Sequence, residues 1–470
     1  MQLNHLGDYL ARNAQQVGAK TALVTDDNTL SWQQLHEQVA KRVDFFSQAL
    51  SHEHQEIVAT VMPNSWQLVV TYLAIIEAGH IAMPLDVIYK PLELEAILRQ
   101  MAPKMTIVDE GNKARLKNAE VILFSDIDLG DGESKRLKLA ADKQIASLVF
   151  TSGTTGKPKA APYTHSNHIW NIKVCSQAWG WNENDTMLLS IRLAHWYGIC
   201  MGLSGSLYHG STLYLEDRFD PSKTLERLSQ GDITLFTHIP LAYAKMLEIE
   251  GDYDLSHLRL PISGSAALAP DIWKNFKERF GLEIIECYGS SETGRIASNT
   301  YDERLVGSPG KLLDDVEAKL SEAGELLVKS PGLFPGYYNN PSATAKNLDG
   351  EGYWHTGDLA EIKDNHVTLK GRLVERIRKQ GYSVSPRDVE WALRENPLVQ
   401  DCFVLGTNDD SDNSLLVYFV VGQIDKEAVQ DYVKQNLPSI WRPDKIIMLD
   451  AIPRTSNGKP NLPQLRSMVS

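Results

Sequence analysis

The sequence predicts an α/β protein in two parts. Residues 1–371 form a large N-terminal domain with mostly parallel sheets and a barrel-like section, and residues 372–470 form a small α+β domain joined to it by a hinge. Three observations carry this reading. Strand-like and helix-like segments alternate along the first part, the rhythm of βαβ units. After about Gly310 the pattern becomes short strands between Gly, Asp and Asn turns. From Ser385 it becomes helix, strand, strand, helix, a compact unit of roughly 95 residues. With 470 residues and ordinary composition, 43% apolar and 23% charged, the chain can bury several cores without disulfide staples.

The elements follow in order. EIVATVMPN is β-branched and ends at Pro-Asn, as a strand does; SWQLVVTYLAIIEAG carries apolar residues at helical spacing and stops at Gly79. HIAMPLD is the next short strand. ITLFTHIP reads as a strand, LAYAKMLEIE as a helix, and GLEIIECYG as a strand ending in a glycine turn. VEAKL, GELLVKS and HVTLKGR are the short strands of the antiparallel or barrel-like section. PRDVEWALREN, VQDCFVLGTN, SLLVYFVVG and KEAVQDYVKQNL make up the terminal unit, and the boundary falls near residues 371–374.

Composition excludes some functions. Lys plus Arg number 47 and Asp plus Glu 60, a net charge of −13, which argues against non-specific binding to nucleic acid or an anionic membrane. A local basic cleft stays open. Cys175, Cys200, Cys287 and Cys402 are scattered singly, so neither a disulfide framework nor a zinc knuckle is expected, and all four read as small core residues. The start, MQLNHLGDYLARNAQQ, lacks a basic region followed by an apolar core, so no signal peptide is expected. No stretch reaches the ~20 apolar residues of a membrane span. These features predict a cytoplasmic enzyme. His165 and His168 have HxxH spacing but no evident third ligand, so no metal site is expected there.

The most informative segment is LVFTSGTTGKPKAAPYTH. A strand over residues 146–150 runs into Thr151, Ser152, Gly153, Thr154, Thr155, Gly156, Lys157, Pro158 and Lys159. Glycines permit turns in which backbone N–H groups converge on an anion. A polar surface turn uses the same residue types, but six hydroxyl or glycine residues with two lysines exceed what a turn needs. Lys157 is followed by Pro158, so this is not a Walker loop, and the segment predicts nucleotide phosphate binding of another kind.

TSGTTGKPKA resembles the phosphate loop of the adenylate-forming superfamily, which contains acyl- and aryl-CoA synthetases, stand-alone adenylation domains and firefly luciferase. The other motifs follow in order. Tyr288-Gly-Ser-Ser-Glu292-Thr-Gly294 is similar to YGxTE, with Ser291 where Thr is usual. Tyr353-Trp-His-Thr-Gly-Asp358, the hinge motif opened by Gly371-Arg372, and Pro453-Arg-Thr-Ser-Asn-Gly-Lys459 complete the set. The resemblance covers nearly the whole chain.

It implies ATP-dependent activation of a carboxylic acid to an acyl-adenylate with release of pyrophosphate. Transfer to CoA would follow, giving acyl-CoA and AMP; the alternative acceptor is the phosphopantetheine of a carrier protein. Negative charge builds on the phosphates, so cations and backbone donors belong there. The resemblance assigns Thr151, Ser152, Gly153, Thr154, Thr155 and Gly156 to the β- and γ-phosphates, with Lys157 and Lys159 beside them. Lys459 would bridge substrate carboxylate and α-phosphate as a compact point charge. Glu292, with Thr151, would hold Mg²⁺, a hard cation that takes oxygen ligands. Asp358 would accept from the ribose hydroxyls, and Arg372 would reach ribose or phosphate. Tyr288 would stack on adenine, although a core aromatic fits the same position. Gly264, Ser265 and Ala266 would line the adenine edge, with Gly289, Ser290 and Ser291 in the same nucleotide site.

For the acyl pocket the resemblance points to His195, Trp196, Tyr197, His238, Ser263 and Gly289. His195 and His238 read equally as gate residues or as core or helix-cap histidines. No Asp lies between Ile191 and Met201 to pair with an α-ammonium, so an aliphatic or aromatic acid is expected rather than an α-amino acid. Segment 236–247 is more similar to benzoate-type ligases. Arg378, Gly381 and Tyr382 would line the path of the pantetheine arm. The net charge of −13 weakly disfavours docking of an acidic carrier protein. At the hinge, Val374 stands where Asp or Lys is usual, and any residue can absorb a backbone rotation. If residues near 374 are the pivot, Val374→Pro impairs at least one half-reaction in separate adenylation and thioester assays; a variant unimpaired in both moves the hinge elsewhere.

Overall fold

The computed structural model describes residues 3–131, 136–137, 144–151, 159–373, 377–379, 382–407, 414–455 and 458–469. Two large sheets with helices packed on them make up the first part of the chain. The smaller has six strands, in spatial order Ile122–Leu123, Met105–Val108, Ile57–Val61, Ile81–Pro84, Ile145–Thr151 and Lys159–Thr164. Its pairings are parallel until the last, where Ile145–Thr151 and Lys159–Thr164 run antiparallel with Thr151 opposite Lys159. The expected phosphate loop is therefore the connection of a hairpin. Residues 152–158, which carry the assignments to Ser152, Gly153, Thr154, Thr155, Gly156 and Lys157, lie outside the described residues.

The larger sheet has thirteen strands. Its parallel centre is Thr212–Leu215, Thr186–Leu189, Leu235–His238, Leu260–Ser263 and Ile285–Ser290. Connecting helices such as Pro240–Leu247 and Pro270–Phe280 cover it, as parallel strands require. From Gly294–Ser298 onward the pairing turns antiparallel, through Gly310–Leu312, His366–Arg372, Trp354–Lys363, Glu325–Lys329 and Glu317–Leu320.

This corrects one expectation: among the described residues there is no closed barrel. The short strands extend the larger sheet and leave Glu317–Leu320 at its edge. Turn chemistry identifies short antiparallel strands, but closure depends on which edges meet, and a strand's own residues do not encode that.

Helix Trp66–Glu77 is apolar on all sides and buries every residue from 68 to 76. Ser65 caps it by accepting from the Leu68 N–H at 3.2 Å. Its side chains join one continuous core with Val58 and Val149 of the smaller sheet and Met187 and Ile262 of the larger. The helix is the layer between the sheets, which explains its lack of a polar face.

The terminal unit has the predicted order, with a three-stranded sheet of Val399–Gly406, Leu416–Gly422 and Lys445–Met448. Helices Pro386–Arg394 and Lys426–Asn436 pack on it around a separate core. It touches the first part through Arg387, whose Nη1 donates to Leu369 O at 3.1 Å, and through Trp391, which packs beside Trp273 and Phe276. All four cysteines are buried and free. No helix among the described residues is long and apolar enough to cross a membrane.

Phe276 is fully buried, with its ring centroid 5.2 Å from that of Tyr243. Phe276→Ala is expected to destabilise the protein by about 3–5 kcal/mol, read as a lowered urea midpoint; a loss below about 1 kcal/mol would mean that this core relaxes around the cavity.

Candidate active site

Several predicted residues close the parallel strands of the larger sheet, with His238 ending Leu235–His238, Ser263 ending Leu260–Ser263 and Tyr288, Gly289 and Ser290 ending Ile285–Ser290, whereas Thr151 and Lys159 lie on the smaller sheet. Asp358 and Arg372 are directly opposite each other on neighbouring strands. Arg372 Nε lies 2.9 Å from Asp358 Oδ1, and the Tyr288 hydroxyl donates to Oδ2 at 2.6 Å. Burial and the facing carboxylate push the Tyr288 phenol well above its ordinary value, so it stays a donor. The structure thus brings three predicted nucleotide residues onto one carboxylate. An ionised carboxylate offers about four lone-pair sites, so two protein donors leave room for hydroxyls of a ligand.

The YGSSETG turn is held by its own side chains. Ser290 Oγ accepts from the Glu292 and Thr293 N–H groups at 3.1 and 3.2 Å, and Thr293 Oγ1 accepts from Ser290 N–H at 3.0 Å. Gly289 has no alternative: a Cβ there would lie 2.0 Å from the carbonyl oxygen of Gly294. Ser291 O accepts from the Tyr163 hydroxyl. Glu292 Oε1 accepts from the Tyr337 hydroxyl at 2.7 Å, and Lys159 Nζ sits 4.8 Å from the centre of the Tyr337 ring. Tyr337 therefore links Glu292 to the strand that follows the phosphate loop. Thr151 Oγ1 lies 3.5 Å from Lys159 O on the other side of that loop. Glu292 and Thr151 offer a carboxylate and a hydroxyl, hard-oxygen donors of the kind that would suit Mg²⁺.

Gly264 follows strand Leu260–Ser263, and a Cβ on it would stand 2.9 Å from Cys287 Sγ and 3.0 Å from the Tyr197 hydroxyl. Ser265 next to it has φ +67, a left-handed conformation that ordinary side chains resist. Ser265 and Ala266 are exposed.

In the acyl segment, Trp196 is buried and stacks on Tyr163 with centroids 3.5 Å apart. The Tyr197 hydroxyl meets Thr237 Oγ1 at 2.5 Å. His195 Nε2 lies 3.1 Å from Asp86 Oδ2, and Arg192 Nε 3.5 Å from Oδ1. Burial acts to raise the Asp86 carboxyl, but contacts with His195, the Ile88 N–H and Arg192 outweigh it and hold Asp86 below its ordinary value. His238 and Ser263 are buried and opposite each other in register. Burial holds the His238 imidazole down to about 3, so it is neutral, and its Nδ1 accepts from the Ile239 N–H at 2.9 Å.

The C-terminal lysine turn reaches this same edge. Arg454 pairs with Asp401 at 2.7 Å, and Lys459 O accepts from the Thr455 N–H at 2.7 Å. The Gly458 Cβ position is 2.6 Å from Ile239 Cδ1, so the turn abuts the end of strand Leu235–His238 and leaves Lys459 exposed. Arg378 and Tyr382 have their backbones in the hairpin Ile377–Lys379 and Tyr382–Val384; Gly381 and both side chains lie outside the described residues.

A family model for AMP-binding enzymes matches residues 10–338, and one for the C-terminal domain of AMP-binding enzymes matches residues 388–459. The chain belongs to the AMP-binding enzyme family. Among its relatives is 4-coumarate-CoA ligase 1 of Narcissus pseudonarcissus, 25% identical over 99% of this chain and 94% of the relative. The 2-succinylbenzoate–CoA ligase of Listeria monocytogenes is 26% identical over 94% of each chain. Crystalline ATP-bound MatB from Rhodopseudomonas palustris superposes with a TM-score of 0.90 at 25% identity, covering 98% of each chain. The enzyme is an AMP-forming acid–thiol ligase: ATP activates a carboxylic acid as its acyl-adenylate, and the acyl group passes to the thiol of CoA.

Sequence reasoning missed four side chains of this ligase. Tyr337 and Asp86 lie in segments with no chemistry-bearing pattern of their own, although Asp86 ends the quoted MPLD strand. Glu286 and Arg387 belong to different parts of the chain and meet only in the fold. Glu286 is buried with its Oε1 accepting from the Leu268 N–H at 3.1 Å. Burial pushes its carboxyl up from 4.5 to about 7, opposed by the charge of Arg387. The stability Glu286 contributes is present below pH 4.5 and is lost as pH rises through about 7. Glu286→Gln is expected to flatten that fall by on the order of 2–3 kcal/mol between pH 5 and 8 in urea unfolding; identical slopes in the two proteins would contradict it.

Proposed function

We propose that the ligase activates an aliphatic or aromatic carboxylic acid without an α-ammonium group, with the site residues in the roles their positions suit. The carrying observation is the seat of the lysine turn. Gly458, one residue before Lys459, packs on Ile239 at the end of the strand that carries His238. Lys459 is thereby within the neighbourhood of the acyl segment while belonging to the terminal unit.

In the adenylation step the substrate carboxylate attacks the α-phosphorus of ATP and pyrophosphate leaves. Lys459 neutralises charge between carboxylate and α-phosphate. The hairpin loop from Thr151 to Lys159 holds the β- and γ-phosphates, and Asp358, with Arg372 beside it, accepts from the ribose hydroxyls. Tyr288 orients Asp358 and borders the base, with Gly264, Ser265 and Ala266 along its edge. Glu292 and Thr151 would hold Mg²⁺, which supplies charge neutralisation on the phosphates. In the second step the CoA thiol attacks the acyl carbonyl, loses its proton and displaces AMP. Arg378, Gly381 and Tyr382 border its arm, and rotation of residues 372–470 about the hinge exchanges the two steps. ATP and CoA as co-substrates, with four unpaired cysteines, support a cytoplasmic setting.

Pocket charge supports the choice of acid. Asp86 is the carboxylate beside His195, and it is already engaged by His195 and Arg192, so it does not offer a seat to an ammonium. The names of the relatives, for 4-coumarate and 2-succinylbenzoate, support an acid carrying an aromatic or extended carbon skeleton.

Exchange of labelled pyrophosphate into ATP across aliphatic, aromatic, dicarboxylic and α-amino acids tests the reading, and exchange confined to the α-amino acids would sink it. Lys459→Ala is expected to lower exchange at least about 100-fold, the cost of removing one transition-state donor; unaltered exchange would refute its role. Thioester yield with free CoA should exceed that with carrier proteins, and the reverse preference would return the carrier reading.

A further inference from the structure

We propose that Arg295 is a specificity residue that binds a second carboxylate on the substrate, so that the preferred acid is dicarboxylic. This rests on the adenylation reading above and names the substrate class of that same site.

Arg295 follows the YGSSETG turn on strand Gly294–Ser298 and is only 5% exposed. Its backbone is fixed, the N–H donating to Asn171 Oδ1 at 2.6 Å. Its guanidinium lies 4.3 Å from the centre of the Tyr197 ring, and Nη1 is 3.7 Å from Cys287 Sγ. Among the described residues no carboxylate pairs with it. An arginine in a protein stays protonated and carries five N–H donors in a planar fork. Withdrawing such a charge from water costs several kcal/mol unless an anion answers it.

The neighbours supply no anion. Burial pushes the Cys175, Cys200 and Cys287 thiols and the Tyr197 phenol above their ordinary values, so all four are neutral. The nearest acidic residue in sequence, Glu292, accepts from the Tyr337 hydroxyl at 2.7 Å. Glu286 sits one position before Cys287 on its strand, so its side chain leaves by the opposite face, and there it interacts with Arg387. Tyr197 and Cys287 border the guanidinium, Thr237 meets the Tyr197 hydroxyl behind them, and Gly264 lacks the Cβ that would crowd Tyr197 and Cys287. Three of these positions lie in the segments that bound the acyl pocket. The charge is thus built into the pocket wall with a π face and a thiol beside it, while a carboxylate is the ligand group that its fork matches in shape and sign. A dicarboxylic acid puts its reacting carboxyl at Lys459 and its second carboxylate at Arg295.

The test uses the full chain and acids matched in length, one ending in methyl and the other in carboxylate: butyrate and succinate, hexanoate and adipate, 4-methylbenzoate and terephthalate. In pyrophosphate exchange, at least one diacid should exceed its partner about 10-fold or more in kcat/KM. Arg295→Met should raise the KM for that diacid about 30-fold or more with kcat changed by only a few fold, and should reverse the preference. Arg295→Lys, which keeps the charge, should retain part of it. Equal or better use of every monoacid by the unaltered enzyme overturns the proposal without any variant, as does an equal loss on both acids in Arg295→Met. Binding without ATP separates the two levels. A diacid should raise the melting temperature of the unaltered enzyme and of Arg295→Lys but not of Arg295→Met, and an equal rise in Arg295→Met overturns the subsite. A diacid that binds through Arg295 yet supports no exchange tells against the adenylation reading alone.

Discussion

Asp358 stands where the three parts of this molecule meet. Tyr288 comes from the last parallel strand, Asp358 from the antiparallel extension, and Arg372 from the residue at which the terminal unit begins. A carboxylate that is mostly withdrawn from water is stable only with donors around it, and here those donors come from distant points of the sequence. The contact therefore ties the parallel centre, the added strands and the start of the terminal unit to a single oxygen pair. The same pair is what a ribose would meet.

Electrostatics in this ligase are local. The chain carries a net charge of −13, yet Lys159 of the smaller sheet, Arg372 of the larger sheet and Lys459 of the terminal unit are the cations that the motifs single out. Net charge describes the solvated surface, whereas a triphosphate responds to charges within about a Debye length. Buried groups follow the same logic in reverse. Glu286 is held up by desolvation against the charge of Arg387, Asp86 is rescued by His195 and Arg192, and among the described residues Arg295 stands without a carboxylate.

Gly289 and Gly264 are enclosed by backbone and side chains that leave no space for a Cβ, so this part of the site is preformed. The lysine turn keeps its own shape through Arg454, Asp401 and Thr455, and it packs on the large part where Gly458 meets Ile239.

Much of this was legible along the chain, for identifiable reasons. Alternating strand and helix patterns exposed the parallel core because period and capping are local, as in helix Trp66–Glu77 with Ser65 before it. Family membership was legible in the ordered motifs from Thr151 to Lys459, and the family models match residues 10–338 and 388–459. Sheet extension rather than barrel closure was decided by the pairing of distant edges. Asp86, Tyr337, Glu286 and Arg387 acquire meaning only from partners far away in sequence. The sequence by itself determined which elements form and which chemistry they carry, since both depend on neighbours a few residues apart. Tertiary structure alone decided which charges are paired, because pairing is a matter of distance and burial between strands that the chain order does not adjoin.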